Sequence, residues 1–143
     1  RLLASAHETC ESFTGLMRLA CGVEEQFDPA PCLAVKTRPV RAVTSVAWLD
    51  AAGVAAAIDP ATWTQVIAAG GACTVRLDAP PAEGRVVIAF TAGIADGWAA
   101  IPPALGDGIL RLAAHGYRSR EGVASEPPAA VAALWRAWRR LRL

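Results

Sequence analysis

Two histidines, four cysteines and one adjacent glutamate pair are the residues of this 143-residue chain whose types could do chemistry. A catalytic histidine needs a nucleophile and an orienting acid within reach. No spacing around His7 or His115 supplies them, and no Gly-x-Ser-x-Gly elbow is present. His115 has Arg111, Arg118 and Arg120 as helical neighbours and reads as a helix-face or interface histidine. Glu24 and Glu25 are adjacent, and adjacent residues of a strand point to opposite faces, so they cannot share a proton as a dyad. Cys10, Cys21, Cys32 and Cys73 form no Cys-x-x-Cys pair. His7 and Cys10 stand three apart, and no second pair completes a ligand set; small buried thiols, reduced by default, are the simpler reading. Gly70-Gly71 and Gly93 match no phosphate-loop pattern and read as turns. The expectation is therefore no enzyme, no catalytic residue, no cofactor and no metal.

The one concentrated signal is C-terminal. Trp135-Arg136-Ala137-Trp138-Arg139-Arg140-Leu141-Arg142-Leu143 holds two tryptophans and four arginines. Trp and Arg are the types most enriched at the energetic centres of interfaces. Three readings are open: tryptophans buried in the domain's own core, a basic arm on nucleic acid, and a docking element ordered by a partner. The third is preferred, because aromatic platforms for nucleic acid usually sit on sheets. The charge distribution sets this end apart. Residues 111–143 carry a balance of +5, residues 1–110 one of −4, and the chain +1. A net charge so small makes no global case for nucleic acid.

Composition bounds what can position these residues. The chain is 54% hydrophobic, but 32 of those residues are alanine, which leaves enough larger side chains for one modest core. No run of 18 or more apolar residues suggests a membrane span, and the first residues turn charged too early for a signal peptide. A start on Arg1 suggests a missing true N-terminus. One lysine beside thirteen arginines reads as a GC-rich bacterial coding bias, and with no asparagine there is no N-glycosylation acceptor.

The periodicities predict an α+β fold. Leu3, Ala6, Cys10 and Phe13 make a helical stripe over 2–14, with Gly15 as its stop. Residues 16–27 read as extended. Val43–Leu49, the Asp50–Gly53 turn and Val54–Ile58 read as a hairpin, and Thr62–Ile67 as a short strand. Cys73, Val75 and Leu77, then Val86, Ile88 and Phe90, alternate with period two. Four to six short antiparallel strands are expected. Pro103 opens a long helix whose stripe is Leu105, Ile109, Leu112 and Ala113. Pro127-Pro128 opens another, with Val131, Leu134, Trp135 and Trp138 in line.

Ile101-Pro102-Pro103-Ala104-Leu105 through Ile109-Leu110-Arg111-Leu112-Ala113-Ala114-His115-Gly116-Tyr117-Arg118-Ser119-Arg120-Glu121 resembles the long helix of tailed-phage head–tail connector (adaptor) proteins. The ending from Pro127-Pro128 to Leu141-Arg142-Leu143 resembles that family's terminus. Ser45–Gly53 resembles its strand–turn unit, Val87–Gly93 its last strand, and the first helix through Thr14-Gly15 its acidic helix. Adaptors of gene transfer agents share this layout. Trp138 stands where Tyr is common in the family, and Ser119 where Asn is often found; the resemblance is not extended to residues 16–42.

The resemblance implies a single connector domain over 1–143. Its parts would be a helix over 1–15, a small antiparallel β region over 16–100, a long helix over 102–121 and a C-terminal docking segment over 127–143. It further implies a structural, non-enzymatic ring of about twelve copies at the virion neck, assembled in the bacterial host cytoplasm. Its partners would be other copies of itself, the portal protein and a downstream tail-completion (stopper) protein. DNA would pass through the channel without sequence-specific binding, and no membrane is involved. The portal-docking role falls on Trp135, Arg136, Trp138, Arg139, Arg140, Leu141, Arg142 and Leu143. The alternatives are another neck or tail-completion protein, and a small nucleic-acid-associated domain using the basic C-terminal segment.

Overall fold

The computed structural model describes residues 1–119 and 127–139. The chain divides into two compact units: Arg1–Leu19 with Ile94–Leu143, which is helical, and Ala20–Gly93, which is built of strands.

In the helical unit, α1 (Leu2–Thr14) forms over the predicted stripe and buries Ala6, Cys10 and Thr14. It stops where expected. Gly15 takes φ 70°, a left-handed conformation that favours glycine, and its N–H donates to Glu11 O at 2.8 Å. α2 (Pro103–Ser119) begins on the predicted proline, and α3 (Ala129–Arg136) follows Pro128 as its N-cap. The Pro128 carbonyl accepts from the N–H groups of Val131 and Ala132 at 2.8 and 2.9 Å. Arg120 and Glu121, the predicted end of the long helix, lie outside the described residues. One core joins α1, the 94–101 segment, α2 and α3: Ala6, Cys10, Ala95, Ile101, Leu105, Ile109, Leu112, Val131 and Trp135. The α2 stripe Leu105, Ile109 and Leu112 faces inward as the 3.6-residue period requires.

The strand unit holds two antiparallel sheets. The first has the order β1 (Cys21–Phe27), β7 (Arg85–Ala92), β3 (Val40–Leu49), β4 (Ala55–Ala57). The second has the order β2 (Cys32–Ala34), β6 (Cys73–Leu77), β5 (Trp63–Ile67). The predicted alternations hold. Val86, Ile88, Phe90 and Ala92 of β7 are buried, as are Cys73, Val75 and Leu77 of β6. The predicted hairpin pairs Ala47–Leu49 with Ala55–Ala57, turning through Asp50, whose carboxylate accepts from the N–H groups of Ala52 and Val54 at 2.8 Å. β3 shifts register against β7 between Val40 and Ala42 and between Val43 and Ser45, the mark of bulges.

Seven strands form among the described residues, more than the four to six expected. β2 is the addition: three residues are too few to carry a periodicity, and it exists because Leu33 pairs with Val75 across β6. The Glu24/Glu25 pair does split across a strand. Glu24 is exposed, while the Glu25 carboxylate accepts from the N–H groups of Lys36 and Thr37 at 2.9 and 2.7 Å.

Candidate functional site

The C-terminal segment is built on a tryptophan seated in the helical core. Trp135 is fully buried, and its Nε1–H points at Leu105 O, 3.4 Å away. The Nε1 edge of the indole meets α2 at Gly108, where a Cβ would stand 2.1 Å from Trp135 Nε1. Only glycine leaves room for that approach. On α1, the Phe13 ring sits 5.9 Å from the Trp135 ring at 52°, a tilted aromatic contact. Trp138, one turn on, packs half-buried against the same core, and the Arg139 guanidinium lies 5.3 Å above the Phe13 ring.

The structure thus separates the predicted docking residues. Trp135 and Trp138 face the core, while Arg136 and Arg139 are exposed. Arg140, Leu141, Arg142 and Leu143 lie outside the described residues. Within the described part of the segment, the two tryptophans are held by the core and Arg136 is exposed. The inward stripe was legible as a helical period. The seat at Gly108 was not, because a lone glycine inside a helical pattern carries no partner in sequence.

The same unit holds a polar cluster that sequence reasoning missed. Arg18 is 4% exposed, an unusual place for a charge. Its Nη2 pairs with Glu11 Oε1 at 3.2 Å, the same oxygen accepts from the Arg18 N–H at 3.2 Å, and its Nη1 meets His7 Nδ1. A guanidinium only donates, so Nδ1 must be the bare nitrogen and the proton of neutral His7 sits on Nε2. The His7 ring also stands 5.2 Å from Trp98. Burial, and then the Arg18 charge, push the His7 pKa below its usual value, against an opposing effect of Glu11. The backbone of this stretch ties two chain segments together: Ile94 N–H donates to Met17 O at 3.1 Å and Ala95 N–H to Arg18 O at 2.8 Å.

These groups do not make a reaction centre. His7 is engaged by a cation, and the neighbouring Cys10 thiol is buried and pushed up to about 11, chiefly by that burial, so no reactive thiolate forms. Cys73 is likewise buried and its thiol raised by burial, while Cys21 and Cys32 are exposed and form no disulfide. Among the described residues no three His, Cys, Asp or Glu side chains stand close enough to hold a metal ion. His115 is exposed on α2, beside Arg111 and Arg118. Among the described residues no helix is long and apolar enough to cross a membrane.

No protein-family model matches the chain, and no curated protein does. Solved structures do. The chain is similar to a component of the neck of a native GTA particle computed with C12 symmetry, with 30% identity and a TM-score of 0.82, covering 99% of this chain and 81% of that one. It is similar to a component of the neck of an empty GTA particle computed with C6 symmetry, with 28% identity, a TM-score of 0.81, and coverage of 99% and 77%. A chain in the virion of a native gene transfer agent particle matches at 28% identity and a TM-score of 0.80, with coverage of 99% and 76%.

Proposed function

From the premise that the chain belongs to the head–tail connector (adaptor) family of tailed phages and gene transfer agents, we propose that it is a structural, non-enzymatic component of the neck of such a particle. The observation that carries this reading is the likeness at TM-scores of 0.80 to 0.82 over 99% of the chain. In the finer proposal, about twelve copies ring the DNA channel at the head–tail junction after assembly in the host cytoplasm. One side of the ring meets the portal, the other a tail-completion protein. The twelvefold symmetry of a similar neck supports the ring.

The portal contact falls on the C-terminal segment. A docking segment needs a fixed root, because ordering a loosely attached one costs affinity. Buried Trp135 and half-buried Trp138 supply the root here. Exposed Arg136 and Arg139 begin the contacting surface, which continues through Arg140, Leu141, Arg142 and Leu143.

The test is native mass measurement of the full chain, alone and with the portal protein of the same gene cluster. The expected result is a large stoichiometric complex. A variant with Arg136→Glu that also lacks residues 140–143 should lose that complex and keep the thermal unfolding of the parent. Undiminished portal association in this variant sinks the tail assignment, and no association of the parent at any salt concentration sinks the adaptor reading.

A further inference from the structure

The buried guanidinium of Arg18 is held by two partners of unlike kind. Its Nη2 pairs with Glu11 Oε1 at 3.2 Å, and its Nη1 meets His7 Nδ1. Its Nε has no partner among the described residues. The backbone at the same place carries the 94–101 segment. Arg18 O accepts from the Ala95 N–H at 2.8 Å, Met17 O from the Ile94 N–H at 3.1 Å, and Leu19 forms a bridge with Ala95. Trp98 of that segment stands against the His7 ring, with 5.2 Å between centroids. The arrangement requires a neutral His7, because a guanidinium only donates and can bond Nδ1 only while that nitrogen is bare. His7 and Glu11 are four residues apart on α1, the spacing at which side chains of one helix meet. The Glu11 carboxylate is thus placed to serve either of two cations, the guanidinium that holds it now or an imidazolium one turn back.

We propose that His7, Glu11 and Arg18 form a proton-operated latch on the 94–101 segment: on protonation His7 takes Glu11 from Arg18, and the released guanidinium leaves its buried place and loosens the backbone contacts to Ile94 and Ala95. The proton enters at Nδ1, because Nε2 already carries one. Both ring nitrogens then donate, so Nη1 loses its acceptor and two cations stand side by side in a site with one carboxylate. A buried charge left without a partner is costly, which drives the guanidinium toward water. The charged groups acting on the His7 ring are Arg18, from the stretch after α1, and Glu11, from α1 itself. The 94–101 segment presents the uncharged Trp98 to it, and the acid of that segment, Asp96, is exposed. The Cys10 thiol, three residues along α1, stays protonated at neutral pH. Glu11 is therefore the carboxylate for which the two cations compete. This inference is independent of the neck reading.

The experiment is hydrogen exchange on the full chain, expressed as protection factors so that the intrinsic pH dependence of exchange is removed. Between pH 7 and pH 5 the amides of the 94–101 segment should lose protection about two- to tenfold, the range for one net hydrogen bond, while those of α3 and β7 keep theirs. His7→Asn places a carbonyl oxygen near the position of Nδ1 and takes up no proton, so its 94–101 amides should be equally protected at both pH values. A loss of the same size in this variant overturns the latch. So does a loss shared by α3 and β7, which is global unfolding, and so does an unchanged parent. Arg18→Met gives a second reading on the ring itself. By nitrogen NMR of the imidazole, His7 of the parent should show a bare Nδ1 at pH 7 and should titrate at lower pH than in Arg18→Met. An unchanged titration shows that the guanidinium does not govern the ring, and overturns the proposal.

Discussion

The strand unit and the helical unit reach burial by different routes. In the strand unit the buried set is written along single strands: Val86, Ile88, Phe90 and Ala92 on β7, and Cys73, Val75 and Leu77 on β6. Each strand specifies its own inner face, and pairing only fills in the neighbours. In the helical unit the core draws on α1, the 94–101 segment, α2 and α3, which are far apart in the chain. The same unit also buries a charge, Arg18, whose Nη atoms meet Glu11 and His7 while its Nε finds no partner among the described residues. Loss of one residue in the strand unit removes some packing. Loss of the central residue of the helical unit, Trp135, removes the side chain that seats α3 against α1 and α2.

The comparison can be broken most directly at Trp135. Trp135→Ala should destabilise the protein by about 3–5 kcal/mol, the range for deleting a buried large aromatic. Hydrogen exchange should show α3 and the adjoining face of α2 losing protection first, with β6 and β7 protected longer. Equal loss across both units would mean that the two are not energetically distinct. A smaller effect is expected from Ile88→Val in β7, about 0.5–1.5 kcal/mol by chemical denaturation, with the protection of α3 unchanged.

The smallest expected effect belongs to His7. Its folded pKa is depressed, so the unfolded chain binds more protons as pH falls through the histidine range. The contribution of His7 to stability is therefore complete above the ordinary histidine pKa of about 6.5 and is lost as pH drops through the lower folded value. Between pH 7 and pH 5 the melting temperature should fall more in the parent than in His7→Gln. Identical slopes would remove His7 from the account of acid sensitivity.

The α+β class, both long strand alternations, the helix starts at Pro103 and Pro128 and the stop at Gly15 were determined by the sequence itself. Each depends on residues a few positions apart and on backbone preferences that act locally. Trp135 was legible as a member of a helical stripe, but its seat was not. That seat depends on Gly108, on the Leu105 carbonyl and on Phe13, and nothing in residues 131–138 points to them. Arg18 was invisible for the same reason, since a buried guanidinium reads like any surface arginine until Glu11 and His7 are brought against it. β2 and the division into two sheets were also decided in three dimensions, where a three-residue strand gains its identity from its partner. Local chemistry sets the elements, while close approaches and buried charges belong to pairs of residues distant in the chain, and only the tertiary structure brings those together.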